Sequence, residues 1–230
     1  MITLEQAVDA GCVHFLRNGT IELTEIAAQL AVSRATLYRV IGSRDALLAD
    51  VLWRLAERCL DRARARRTRD GIDGVLQVVR AFSRQLLASR ALRRFVINEP
   101  ETATRVFTGR DAGLSQLAIA AATRLFHETG LTGRSASLDA SPTLAPARMA
   151  EDPERVAYLL VRIVESLCFA EVSGTRPDLD LTEQTIRALL ARACTPRQSR
   201  VAKVFGAAMC LAWTAAPEFA ESRLSLVLAL

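Results

Sequence analysis

Residues 25–48 read EIAAQLAVSRATLYRVIGSRDALL, and the order of apolar and polar positions within them decides the fold. Apolar residues recur here at helical spacing and not in alternation. Ile26, Ala27 and Leu30 mark the inner face of a short helix over 23–30, and Ala31-Val32 is a tight link. Ser33 stands where its hydroxyl can N-cap a third helix over 34–40. Leu37 and Val40 face inward from that helix, Arg34, Ala35 and Thr36 occupy its outer first turn, and Tyr38 and Arg39 follow one turn on. Gly42-Ser43 breaks the chain again. Ser43 then caps a long fourth helix through Leu47, Leu48, Val51, Leu52, Leu55 and Leu60, which ends in the arginine-rich RARARRTRD.

Working outward, Thr3 and Gln6 form a capping-box pattern before a first helix. That helix turns Leu4, Val8, Gly11, Cys12 and Phe15 inward and stops near Asn18-Gly19. Short helices joined by tight turns make a helix-turn-helix, whose recognition helix enters the major groove of double-stranded DNA. The outer residues suit that task. Arginine can donate two hydrogen bonds to guanine, and threonine offers a hydroxyl to a base edge and a methyl to thymine. The Tyr38 hydroxyl and the N–H groups at a helix start are phosphate donors. Residues 34–44 hold three arginines and no acid, so the local field is positive.

Position matters more than number, because this chain is rich in arginine throughout. Of its 30 basic residues all but Lys203 are arginine, and against 25 acids they give a net charge of +5. Such a charge permits an anionic partner without requiring one. Five cysteines, Cys12, Cys59, Cys168, Cys194 and Cys210, show no CxxC spacing and read as reduced thiols. The start MITLEQAVDAGCVHF lacks the order of a secretory signal, and the most apolar stretch, VFGAAMCLAWTAA, is too short to span a bilayer. The expectation is a cytoplasmic protein with no membrane partner.

From Gly71 the pattern restarts in longer helices. Ile72, Val75, Leu76, Val79, Phe82 and Leu86 mark one, and Leu92, Phe95 and Val96 mark a short one ending at Asn98-Glu99-Pro100. A turn or two over 101–107 and a helix over 111–129 follow. LTGRSASLDASPTLAPARMAEDPE, at 131–154, reads as a long loop. The stretch VAYLLVRIVESLCFAEV, 156–172, is apolar nearly all round, and 182–193 is amphipathic. A helix apolar on all sides must be covered on all sides, so one face is expected on the core and another on a second copy of the chain. Arg162 and Glu165, one turn apart, with Glu99, Tyr158 and Ser166, are candidate ligand contacts. A structural Arg162–Glu165 pair is the alternative, since buried charges need partners. Phe82, Phe95, Phe107, Phe126 and Phe169 are candidates to line a cavity, with plain core packing as the alternative. His14 and His127 lie in unrelated settings, and no HExxH, GxSxG, Walker or dinucleotide fingerprint occurs. No enzymatic activity, metal or cofactor is therefore expected.

The segment 25–48 resembles the DNA-binding segment of TetR-type transcriptional repressors. Ile26-Ala27, Val32-Ser33, Thr36-Leu37-Tyr38, Ser43 and Leu47 match the usual pattern with all spacings preserved. The resemblance implies that Thr36 touches bases, Tyr38 a phosphate, and Arg44, in place of the family's lysine, a phosphate at the start of the fourth helix. Ala31 departs from the turn glycine, Ile41 from the aromatic behind the recognition helix, and Glu22 from a capping threonine, with Thr24 the candidate substitute. ALRRFVINEPETATRVFT, 91–108, and the stretch 156–172 resemble the C-terminal domain of TetR-type regulators of quorum-signal degradation. That likeness implies a homodimer on a near-palindromic operator and a small-molecule effector, a lactone or related acyl compound.

Together these readings predict an all-α protein with an N-terminal helix-turn-helix domain at 1–47. A larger helical effector-binding and dimerisation domain follows at 48–194, and an extension of open role at 195–230. The expected DNA face comprises Thr24, Ser33, Arg34, Ala35, Thr36, Tyr38, Arg39 and Arg44, and the expected ligand contacts are Phe95, Glu99, Tyr158, Arg162, Glu165, Ser166 and Phe169. The rival expectation is a helical ligand-binding or adaptor protein that keeps a degenerate helix-turn-helix as scaffold.

Overall fold

A computed structural model describes residues 2–109, 113–132, 149–170 and 172–195. The chain divides into two units, Met1–Thr195 and Pro196–Leu230, and every described residue belongs to the first. Most of the loop expected at 131–154, and the extension from 196 onward, lie outside the described residues.

Ten helices and no strands are found among the described residues: α1 (Leu4–Asn18), α2 (Leu23–Gln29), α3 (Arg34–Ile41), α4 (Arg44–Ala65), α5 (Gly71–Ala88), α6 (Arg90–Asn98), α7 (Pro100–Thr108), α8 (Leu114–Glu128), α9 (Pro153–Phe169) and α10 (Leu179–Cys194). The caps explain most boundaries. Thr3 and Gln6 form the reciprocal box at the start of α1, and Ser33 and Ser43 accept hydrogen bonds from Thr36 N and Ala46 N. Two helices begin three residues earlier than periodicity predicts. Asp152 caps α9 with Pro153 in the first turn, and Asp178 accepts from Asp180 N and Leu181 N to open α10. Leu4, expected inward, is exposed, since the first residue of α1 precedes the turn that meets the core.

The apolar faces form two clusters. One gathers α1, α2, α3 and the first half of α4 with α6 and α7. The other gathers the end of α4 with α5, α8, α9 and α10. α4 belongs to both, and the 47/48 position falls inside it. Phe15 of α1 and Phe95 of α6 meet edge to face with centroids 5.8 Å apart, an arrangement that aligns ring edge with ring face.

α1 and α4 approach closely because Gly11 has no side chain. A Cβ on Gly11 would lie 2.6 Å from Val51 Cγ2, and the β-branched Val51 has little rotamer freedom to yield. Helix propensity favours Gly11→Ala by about 1 kcal/mol, whereas overpacking of a filled core costs about 1–3 kcal/mol. The steric effect is the larger, so Gly11→Ala should lower the Tm in a thermal melt; an unchanged or higher Tm would show that α1 can move away from α4 freely.

Candidate nucleic-acid interface and ligand cavity

α3 is anchored from behind and bare in front. Leu37 is fully buried, Ile41 nearly so, and Val40 packs half-buried on the same cluster. Ile41 therefore fills the place where the family pattern carries an aromatic. Its opposite face carries Arg34, Ala35, Tyr38 and Arg39, all exposed, with Tyr38 at 39%. Arg34 and Arg39 have no carboxylate partner among the described residues, and residues 33–44 include no acid. Thr36 is half-buried. Its hydroxyl lies 2.9 Å from Ser33 Oγ and accepts from Arg39 Nη2 at 3.4 Å, so Ser33 acts on this face through Thr36 as well as through the cap.

The turns on either side differ in strain. α2 ends in a Schellman arrangement: Val32 N donates to Ala27 O at 3.0 Å and Ala31 N to Ala28 O at 3.1 Å. This puts Ala31 at φ 51°, the only non-glycine with positive φ among the described residues. The turn keeps its geometry and accepts the strain of a Cβ there. Between α3 and α4, Gly42 sits at φ 73°, ψ −69°, and Ser43 N donates to Ile41 O at 2.9 Å, a γ-turn that glycine tolerates. Glu22 is the N-cap of α2 but makes no side-chain cap bond, and Thr24 is exposed on the first turn of that helix without capping it.

Arg44, expected at a phosphate, is engaged within the protein. Its guanidinium is half-buried and meets three groups of the protein. Nε donates to Ile21 O at 3.1 Å, Nη1 to Glu99 Oε2 at 2.9 Å, and Nη2 to Glu99 Oε1 and Thr20 Oγ at 2.9 Å each. Thr20 also donates to Glu99 Oε1 at 2.5 Å. Burial raises the Glu99 pKa, but the hydrogen bonds from Arg44 and Thr20 and the charge of Arg44 outweigh it and leave the carboxyl below its ordinary value. Glu99, expected at a ligand, instead ties the junction of α6 and α7 to the start of α4. Periodicity gave no warning, since the two partners are separated by 55 residues. Nearby, His14 is buried, with Nδ1 3.1 Å from Thr20 O and Nε2 2.8 Å from Glu25 Oε2.

A cavity of about 430 Å³ opens between α4, α5, α8 and α9, within the size range of small-molecule sites. Its wall is mainly apolar and includes Leu52, Leu55, Phe82, Leu86, Leu125 and Val164. Of the seven expected ligand contacts only Glu165 lines it. Phe95 is fully buried against Phe15, and Glu99 is held by Arg44. Phe169 packs edge to face on Phe107, which does line the cavity, with centroids 5.6 Å apart. Tyr158, Arg162 and Ser166 recur every four residues on an adjacent stripe of α9. Arg162 lies over the Tyr158 ring at 5.3 Å, and Ser166 Oγ donates to Ile163 O. The Arg162–Glu165 ion pair is formed, at 3.0 Å. Phe126 is plain core. The α4 wall escaped notice because Leu52, Leu55, Ala56 and Cys59 have the same spacing as a core stripe.

Helix-turn-helix geometry at one end and a helical layer around a cavity at the other define a tetracycline-repressor-like architecture. The family model described as "Tetracyclin repressor-like, C-terminal domain" matches residues 70–191, just over half of the chain. The chain belongs to this TetR family. Its fold is similar to that of the transcriptional repressor QsdR of R. erythropolis, from the TetR family. The TM-score is 0.70 and the identity 21%, over 85% of this chain and 96% of that one. It is also similar to the TetR family repressor AlkX from Dietzia sp. strain DQ12-45-1b, implicated in biodegradation of n-alkanes. There the TM-score is 0.58 and the identity 19%, over 83% of this chain and 96% of that one. No curated protein matches the chain by sequence. The fold is all-α, with the helix-turn-helix at the N-terminus and the larger helical domain after it. No helix among the described residues is long and apolar enough to cross a membrane.

Ala31→Gly relieves a positive φ worth about 1–2 kcal/mol and loses part of that gain to unfolded-state entropy, so a modest rise in Tm is expected. Glu99→Ala should cost roughly 1–2 kcal/mol, discounted because the Arg44 and Glu99 side chains remain 29% and 23% exposed. The folded pKa of Glu99 is lowered, so its contribution is present above the ordinary carboxyl value and vanishes as pH falls through the folded value. Thermal melts should show the gap between wild type and Glu99→Ala closing in acid.

Proposed function

We propose that the protein is a dimeric transcriptional repressor that binds a near-palindromic operator through residues 1–47 and responds to a small molecule held in 48–194. The carrying observation is the α3 face: Arg34 and Arg39, exposed without carboxylate partners, flank Ala35 and Tyr38 on a helix anchored by Leu37 and Ile41. Unpaired guanidiniums beside a phenol suit base edges and phosphates. The cavity supports effector binding, and its apolar wall agrees with the acyl chain of a lactone or related acyl compound. That the R. erythropolis and Dietzia proteins are TetR family repressors supports the same reading. Exposed Leu117 on α8 and Tyr158 and Leu159 on α9 offer the apolar face a second copy would cover. We assign no enzymatic activity, cofactor or metal, and residues 195–230 receive no role in this reading.

The adaptor reading, in which the helix-turn-helix is only scaffold, is favoured by the engagement of Arg44 with Glu99 and by the uncapped start at Glu22. DNA binding separates the two. Genomic footprinting with the purified protein should yield discrete palindromic sites. On such a site Arg34→Ala and Thr36→Ala should reduce discrimination against altered bases by about 1–3 kcal/mol per lost contact. Tyr38→Phe should weaken binding to all sequences alike. A triple variant at Arg34, Thr36 and Tyr38 that binds as the wild type does would exclude the repressor reading. If Arg44 acts through Glu99, Arg44→Ala and Glu99→Ala should weaken binding equally without changing its salt dependence. A direct phosphate contact by Arg44 would instead flatten that dependence for Arg44→Ala alone.

A further inference from the structure

We propose that the cavity takes an uncharged amphiphile: a neutral head that donates a hydrogen bond to the Glu165 carboxylate, and an alkyl or acyl tail lying in the cleft between α4, α5 and α8. The proposal rests on the reading of the cavity as the effector site and names the ligand chemistry that this site accepts.

The wall divides into a long apolar part, one buried acid at Glu165, and two exposed arginines, Arg58 and Arg62. Leu55, Phe82, Leu86 and Leu125 offer a tail no polar partner, and burial of each methylene contributes favourably without directionality. Glu165 is the only acid on the wall, and its side chain is 13% exposed. Arg162 meets both of its oxygens, Nη1 to Oε2 at 3.0 Å and Nη2 to Oε1 at 3.3 Å. Arg162 is committed further, donating to Ser115 Oγ at 2.6 Å and lying over Tyr158. A carboxylate offers about four lone-pair sites, and no hydrogen bond reaches Glu165 from any other described residue. No other described residue takes up its remaining acceptor capacity.

Charge balance selects the head. The Arg162–Glu165 pair is already neutral, so a cationic head would set a second positive charge beside Arg162 in a largely apolar wall. An anionic head would set a second negative charge beside Glu165. Seated at Glu165, each would be buried without compensation, since the two wall arginines are exposed to solvent. A neutral donor, such as an amide N–H or a hydroxyl, adds a hydrogen bond to the carboxylate and no net charge. The other charged or titratable groups on the wall are Cys168 on α9 and Arg58, Cys59 and Arg62 on α4; the parts of α1, α5, α6, α7 and α8 that line it contribute none. Arg58 lies 3.7 Å from Asp9, and Arg62 donates to Arg58 O, both side chains reaching toward solvent. Burial and the neighbouring Glu165 push the Cys168 thiol up to about 12, so it stays protonated.

Glu165 also supplies a sign. Burial pushes its carboxyl up to about 7, against the pull of Arg162. A donor head stabilises the carboxylate and lowers the pKa in the complex, so binding releases a proton. Affinity then rises with pH until Glu165 is ionised in the free protein and is level above that. An acceptor-only head needs the protonated acid and gives the opposite slope.

The test uses the full chain and the fluorescent apolar dye N-phenyl-1-naphthylamine, displaced by a matched series: octanamide, 1-octanol, methyl octanoate, octanoate and octylamine. Octanamide and octanol should displace the dye at least tenfold more effectively than the other three. The octanamide affinity should rise about tenfold from pH 6 to pH 8, as expected for a controlling group with a pKa of about 7. Glu165→Gln, checked for an unchanged fold by thermal melt, should abolish that slope. Equal displacement by octanoate or octylamine, affinity for octanamide falling with pH, or a slope that persists in Glu165→Gln would each overturn the proposal. Dye uptake without displacement by any of the series overturns it while leaving the effector site standing. If the cavity-filling variant Val164→Trp takes up dye as the wild type does, the dye lies elsewhere, and the site reading fails together with the proposal. None of these outcomes depends on DNA binding.

Discussion

One carboxylate joins the helix-turn-helix to the layers behind it. Glu99 occupies the shared junction of α6 and α7 and receives both terminal nitrogens of Arg44 and the Thr20 hydroxyl. Arg44 is the first residue of α4, where the helix dipole is unfavourable to a cation. Glu99 supplies the opposing charge, and Ile21 O and Thr20 occupy the remaining donors. α3 is held close to α4, through the γ-turn at Gly42-Ser43 and the packing of Leu37 and Ile41 in the same cluster as Leu47 and Leu48.

The other end of α7 is tied as well. Ser115 Oγ donates to Phe107 O at 2.5 Å and in turn accepts from Arg162, which holds Glu165 on the cavity wall. A short helix is thus bonded through its N-cap to the start of α4 and through Phe107 O to the charge pair beside the cavity. Asp45 and Arg105 add a further pair between α4 and α7 at 3.2 Å.

α4 performs the corresponding task in the apolar core. Its first half closes the cluster under α1, α2 and α3, and its second half forms a wall of the cavity and meets the cluster of α5, α8, α9 and α10. The absence of a side chain at Gly11 lets α1 lie directly on Val51. The cluster beneath the helix-turn-helix and the cavity therefore share one continuous helix.

The helices, their caps and the face of α3 were legible in the sequence because each depends on neighbours within about one turn. Thr3 with Gln6, Ser33, Ser43 and the inward Leu37 all follow from local spacing. So did the departure at Ala31, whose strain is set by a turn of fixed hydrogen bonding and not by distant packing. The phase of α9 was the first point where locality failed. Its apolar residues cover most of the circumference, and only neighbouring helices decide that Glu165 faces the cavity while Tyr158, Arg162 and Ser166 lie on the next stripe. The partnership of Arg44 and Glu99 was the second, since an ion pair between helices carries no periodic signature. Sequence by itself determined the elements and the chemistry available on each. Tertiary structure alone decided which charges are free to meet a partner and which are spent on each other, because that depends on the approach of side chains from distant helices.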